Sequence, residues 1–264
     1  MWLRSGDTSA SNNFLGFLED TLAKLERKTI SLIRLDSGFC SGEIFDYLED
    51  RKPSIQYIVA ARFAEPVQKL IGSQQVWLCI DEGIEITETT YQAHVWSKPR
   101  RMIIVRQAIK ERPQAPGKTL KIFKDNEIYK NHRYNGYFTN MSLAPAQVWR
   151  LYRGRGDAEN RIKELKADFG FDSFNMKSFQ GTESALTFAM LAYNLMALFR
   201  QFILQEKTQQ TLSTLRYKTF AIGAYFEKVE GTFILKLALN LKRREWFEGL
   251  WGKSKRTQIP LCKP

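Results

Sequence analysis

The chain has 264 residues, with 44% hydrophobic and 26% charged side chains, an ordinary globular composition that excludes disordered, collagen-like and low-complexity readings. Three cysteines (Cys40, Cys79, Cys262) without a CxxC pair and two histidines (His94, His132) exclude a disulfide scaffold and a His-rich metal site, and a reducing cytosol is expected. The formal net charge is +12, unevenly spread: residues 1–97 hold 9 basic and 14 acidic side chains, 98–134 hold 11 and 3, 135–235 hold 12 and 9, and 236–264 hold 8 and 2.

A basic body behind a mildly acidic first third points to a polyanionic partner, with carboxylates kept for another role. A basic protein with solvated faces is the plain alternative. The first 13 residues are polar and carry no apolar stretch of the secretory type, so no signal peptide is expected.

Ser9–Asn12 reads as a capping stretch, and Phe14, Leu15, Phe17, Leu18, Leu22 and Leu25 follow at helical spacing. Residues 29–35 (TISLIRL) form a short β-type apolar run that ends at Asp36 and is broken by Ser37 and Gly38. A helix over 43–50, a buried strand over 55–61 and a short helix over 65–71 follow. This alternation predicts an α/β layer with parallel strands.

From 76 to 139 the segments are short, β-branched and aromatic. Strands are expected at 76–80, 83–96, 102–108, 120–123 and 134–139, with a loop at 112–118, and together they read as a β-rich insertion. Helices return at Pro145, with one long helix over 146–168 that Gly154 and Gly156 can break. The run 185–204 has about the length of a bilayer span. It contains Asn194, Arg200 and Gln201, which are costly in lipid, so a buried core helix is expected and no membrane. Residues 208–220 form a weaker helix, 233–241 fit strand or helix, and the tail after Lys253 is expected to fray.

The informative stretch is 149–171, WRLYRGRGDAENRIKELKADFGF. On one unbroken helix Tyr152, Arg155, Glu159 and Lys166, spaced 3, 4 and 7 apart, share a face. Leu151, Ala158, Ile162 and Leu165 supply a packing stripe. A solvated helix with pairs such as Glu159 and Lys163 is the alternative. Asp36, at the tip of a buried strand, stands where open α/β sheets place ligand and metal contacts. An Asx-turn or N-cap role explains the same position.

Together these residues resemble the bacterial insertion-sequence transposases of the DDE type. Tyr152, Arg155, Glu159 and Lys166 match the spacing of their YREK signature, and Asp36-Ser37-Gly38-Phe39 looks like their second catalytic-aspartate motif. Gly6-Asp7-Thr8, Thr139-Asn140 and Ala192-Tyr193-Asn194-Leu195 are similar too, so the resemblance spans residues 1 to about 205.

It implies a partial ribonuclease H-like core (residues 1–75) interrupted by a β-rich insertion (76–143), a resumed core with the signature helix (144–206) and a C-terminal extension of helices (207–264). It also implies DNA transposition, with Asp36 and Glu159 as catalytic carboxylates that hold Mg2+ or Mn2+ in a two-metal site. Tyr152, Arg155 and Lys166 would grip transposon-end phosphates. In relatives the insertion holds a flipped base at the transposon end; Trp96 or Tyr134 are the candidates here for stacking or, by the habit of aromatics, for the core.

The first catalytic aspartate of the family belongs on an early strand. Neither Asp7 nor Asp20 replaces it, so the chain is expected to correspond to the C-terminal part of such an enzyme. The implied partners are transposon and target DNA and further copies of the chain, in the bacterial cytoplasm near the nucleoid. The rival expectation is a catalytically silent remnant that binds DNA or transposase and inhibits transposition.

Overall fold

In the computed structural model, which describes residues 11–25, 28–109, 131–174, 176–206 and 210–257, the apolar run ahead of Asp36 forms β1 (Leu32–Leu35). It lies parallel to β2 (Gln56–Ala60), with Leu32 opposite Gln56 and Leu35 opposite Val59. The connection runs through α2 (Gly42–Asp50), as a parallel pair requires. Beyond β2 the sheet turns antiparallel. The strands β3 (Leu78–Asp81), β4 (Ile84–Tyr91), β5 (Arg100–Ala108) and β6 (His132–Thr139) complete one six-stranded sheet in the order β1-β2-β6-β5-β4-β3.

The strands expected as a separate insertion therefore continue the sheet of β1 and β2, because β6 pairs directly with β2. The expected strand at 120–123 and loop at 112–118 lie outside the described residues, as do Ser9, the Gly6-Asp7-Thr8 stretch and Cys262.

Alternate residues of the central strands face opposite layers. Tyr57, Val59, Met102, Ile104, Tyr134 and Phe138 share one core with Leu18, Ile44, Phe45, Leu48, Val67 and Ile71. Those last six come from α1 (Phe14–Lys24), α2 and α3 (Glu65–Gly72). Ile58, Ile103, Val105 and Tyr137 face a second core closed by Val148 and Trp149 of α4 (Pro145–Arg153). Burial on both faces is why these strands read as continuous apolar runs. Trp96 and Tyr134 are both buried. Trp96 packs edge-on against Phe45 and Phe138 at 5.2 and 4.9 Å between ring centres. Both aromatics thus belong to the core.

The first core includes a charged cluster. The buried Arg100 guanidinium lies over the Phe45 and Trp96 rings. It donates to Glu49 Oε1 (3.0 Å) and Asp46 Oδ1 (2.5 Å). Tyr57 Oη donates to Glu49 Oε1 (2.6 Å) and Lys98 Nζ pairs with Glu49 Oε2 (2.9 Å). A buried guanidinium is tolerated because carboxylates and ring faces surround it. The cluster ties α2 to β2 and β5.

The chain divides into two compact units, Arg4–Gly156 and the chain from Asp157 onward. The second unit is mainly helical. It contains nearly all of α5 (Gly156–Phe169), then α6 (Phe179–Leu198) continued by π-helical turns over Phe199–Leu204, and α7 (Leu212–Leu215). A hairpin of β7 (Ala224–Val229) and β8 (Thr232–Leu237) precedes α8 (Leu241–Arg256). Leu204, Leu215 and Leu250 are its buried centre, with Met196, Phe199, Ile203 and Trp246 against them. The ambiguous run 233–241 resolves as strand to Leu237, a short irregular link, and the first residue of α8 at Leu241. The tail expected to fray from Lys253 stays helical to Arg256.

The stretch Phe179–Leu204 is long and apolar enough, by length and composition, to cross a membrane. The expected burial in a core does not hold. Phe188, Leu191 and Leu195 are 71%, 53% and 58% exposed. Apolar composition says that a face wants a cover, and carries no information on whether its own unit supplies one. Arg200, inside this stretch, is mostly buried and paired with Glu164 of α5.

Candidate functional site

Asp36 follows the last residue of β1 in an extended conformation. Its Oδ1 accepts the Gly38 amide at 2.9 Å, capping a single 3-10 turn over Ser37–Phe39. A methyl group on Gly38 would stand 3.0 Å from that oxygen. The Asx-turn expectation is thus met, and it uses one carboxylate oxygen. The other, Oδ2, faces Arg155 Nη2 at 3.4 Å. Asp36 is half exposed, so this ion pair contributes at most about 1 kcal/mol to stability.

Arg155 reaches Asp36 because the expected long helix is broken. α4 ends at Arg153, Gly154 and Arg155 form a turn, and α5 begins at Gly156. In the turn the Arg155 amide bonds Tyr152 O at 2.8 Å, one residue short of the helical partner, which tightens the chain and ends α4. The single face drawn through all four signature residues is therefore divided. Tyr152 and Arg155 belong to the end of α4 and the turn. Glu159 and Lys166, seven apart, share a face of α5.

Tyr152 extends the contact with β1. Its phenol donates to Leu35 O at 3.2 Å. Its ring lies 4.5 Å from that of Tyr137, tilted by 45°. Burial, then the neighbouring Tyr152, push the Tyr137 phenol up to about 12. Next to this pair Arg34 Nη1 donates to Leu151 O at 2.7 Å. Residues 34, 35 and 36 thus each take one contact from 151, 152 and 155, although 117 to 119 positions separate them.

The turn before α4 is also fastened to β2. Thr139 Oγ1 donates to Tyr57 O (2.7 Å) and accepts the Met141 amide (3.1 Å). Asn140 accepts the Tyr57 amide and donates to Ile55 O, both at 3.0 Å. The Thr139-Asn140 pair singled out in the sequence thus sets where α4 starts.

In the second unit Glu159 is exposed and lies with Asp157 in the first turn of α5, the helix end that favours carboxylates. Lys166 is exposed and stands 3.8 Å from Asp172 Oδ2. The expected packing stripe is thin, with Leu165 buried but Ile162 51% exposed.

Asp36 is a hard oxygen donor of the kind that Mg2+ or Mn2+ takes. Among the described residues no three His, Cys, Asp or Glu side chains gather as a ready metal site. The donor type fits a hard divalent cation, and further donors are needed to hold it. What the first unit does assemble is a carboxylate, a phenol and two guanidinium groups at the C-terminal end of a parallel strand, a place where open α/β sheets bind ligands. Sequence reasoning passed over Arg34. Its signal is a lone cation in the run TISLIRL, two residues before the strand-tip aspartate.

A family model described as transposase DDE domain, group 1, matches residues 1–258. No curated protein matches the chain significantly.

Proposed function

Because the chain belongs to the transposase DDE domain family, group 1, whose members move DNA by phosphodiester cleavage and transfer with divalent metals, we propose that it is the catalytic-domain portion of a cut-and-paste insertion-sequence transposase with a ribonuclease H-like core. Asp36 and Glu159 are its second and third catalytic carboxylates, and Tyr152, Arg155 and Lys166 its contacts to transposon-end phosphates. The observation that supports this most is the meeting of Asp36 with Arg155 and of Tyr152 with the strand end beside it. Two residues of the signature meet the aspartate motif at one strand tip, over a hundred residues away in sequence.

Asp36 and Glu159 would hold Mg2+ or Mn2+, which when bound activates a water or 3′-hydroxyl nucleophile and stabilises the leaving oxygen. The chain's own residues position the DNA. Arg155 presents a planar fork suited to two phosphate oxygens, and its pairing with Asp36 holds that fork beside the carboxylate until DNA arrives. Lys166 acts as a point charge on the backbone. Tyr152, held by Leu35 O and the Tyr137 ring, borders the site with a polar tip on an apolar body. The substrates are transposon ends and target DNA, and the working form is an oligomer of this chain in the cytoplasm.

The test is metal-dependent nicking of supercoiled DNA by the chain beside its Asp36→Asn and Glu159→Ala variants. Nicking that needs Mn2+ or Mg2+ and disappears in both variants is the expected result. Unchanged nicking in either variant would overturn the assignment of that residue. Salt-sensitive DNA binding with no nicking would favour the rival reading, a remnant that binds DNA or transposase and inhibits transposition.

A further inference from the structure

We propose that Arg34 is a positioning residue, which clamps the last turn of α4 onto β1 so that Tyr152 and Arg155 stand at Asp36. The inference rests on reading Asp36 and Arg155 as working residues, and it goes beyond the signature residues themselves.

The break in the helix creates the need for the clamp. In a continuous helix the amide of residue 155 would bond the carbonyl of residue 151. Here the Arg155 amide bonds Tyr152 O instead, and Leu151 O loses its regular donor. Arg34 Nη1 supplies a replacement at 2.7 Å. A guanidinium suits that place, since the carbonyl end of a helix carries partial negative charge.

Gly154 makes the approach possible. A Cβ at position 154 would stand 2.6 Å from Arg34 Nη1, closer than non-bonded atoms allow. A residue with a side chain there would push the guanidinium off Leu151 O. Gly154 thus serves as the cavity for the clamp as well as the break. The three contacts also run in register. Arg34 holds Leu151, Leu35 O holds Tyr152, and Asp36 holds Arg155. Arg34 bonds the Leu151 carbonyl, so its effect on the site passes through the α4 terminus.

The experiment compares Arg34→Met, Arg34→Lys and Gly154→Ala in the full chain by two readouts. The first is hydrogen exchange of the amides over 152–156, with the unfolding temperature measured alongside. Arg34→Met and Gly154→Ala should both speed exchange in this turn while the unfolding temperature moves little. The second is the rate of Mn2+-dependent nicking at saturating DNA. A misplaced Arg155 should lower it about 100-fold in both variants, the loss that an ångström-scale misplacement of a working group causes. Arg34→Lys retains a donor for Leu151 O and should recover most of the rate, whereas Gly154→Ala keeps every charge and should not.

Unchanged exchange in Arg34→Met would overturn the clamp. So would a nicking loss that merely follows the unfolding temperature and is not recovered by Arg34→Lys. If the parent chain does not nick DNA, the transposase chemistry of the site fails, and the exchange measurement alone decides the clamp.

Discussion

Replacing Glu49 with glutamine should destabilise the Arg4–Gly156 unit by an amount that depends on pH. Glu49 Oε1 accepts Arg100 Nε (3.0 Å) and Tyr57 Oη (2.6 Å), and Oε2 accepts Arg100 Nη2 (3.2 Å) and Lys98 Nζ (2.9 Å). Glutamine keeps the shape but removes the charge and turns one acceptor into a donor facing other donors. Breaking a buried ion pair outright costs about 3–5 kcal/mol. Asp46 still holds Arg100 Nη2 at 2.5 Å, so the cost expected near neutral pH is smaller, about 2–3 kcal/mol.

Burial pushes the Glu49 carboxyl up, but hydrogen bonds from Arg100, Tyr57 and Lys98 outweigh it and hold it below its ordinary 4.5. The Ser97 hydroxyl, then Arg100, hold Asp46 below 3.8 against partial desolvation. Both folded values are depressed, so the unfolded chain binds more protons in acid. The stabilisation is fully present above pH 4.5 and is lost as pH falls through the lower folded value. The gap between wild type and Glu49→Gln should therefore be widest near neutrality and close on acidification. Urea unfolding followed by tryptophan fluorescence reads this, since Trp96 packs within the cluster. A difference below about 0.5 kcal/mol at neutral pH, or one that does not shrink in acid, would refute the reasoning.

Asn140→Ala should cost about 2 kcal/mol, because it strips the Tyr57 amide and Ile55 carbonyl of their side-chain partner. Equal unfolding midpoints for variant and parent would count against that role. Phe45→Ala should cost about 3–5 kcal/mol, since the ring is fully buried and stacked 5.0 Å from Tyr57; a loss under 2 kcal/mol on about the same scale would mean the cavity collapses. Affinity for a short DNA duplex, read by fluorescence anisotropy, should fall at least about 1,000-fold between 50 and 200 mM salt if six or more phosphates are contacted. A flat salt response would remove the electrostatic basis of the DNA reading.

Much of the first unit is legible from local pattern. The apolar runs ahead of Asp36 and at Gln56–Ala60, the helix between them and the strand before α4 are each set by periodicity and punctuation within a few residues. Burial of Trp96 and Tyr134 follows the habit of aromatics. The weaker expectations depend on distant partners. The strands from residue 78 onward show their β character in sequence, but only the pairing of β6 with β2 makes them one sheet with β1. The stretch 185–204 shows its apolarity, while its exposure depends on what its unit brings against it. Sequence leaves β7 unmarked and β8 ambiguous between strand and helix, since an exposed two-stranded ribbon lacks the one-sided burial that makes alternation clear.

Sequence alone determined which residues resemble the family's working set. The spacing of Tyr152, Arg155, Glu159 and Lys166 and the turn chemistry of Asp36-Ser37-Gly38 are local properties of the chain, and residue type and spacing are sufficient to record them. Tertiary structure alone decided that Tyr152 and Arg155 meet the end of β1, that the signature helix breaks at Gly154, and that Arg34 fills the hydrogen bond which the break leaves open. A contact across more than a hundred residues forms because the apolar faces of β2, β5 and α4 leave one arrangement that buries them together. No local pattern encodes that arrangement, because the free energy that selects it comes from burying all of those faces at once.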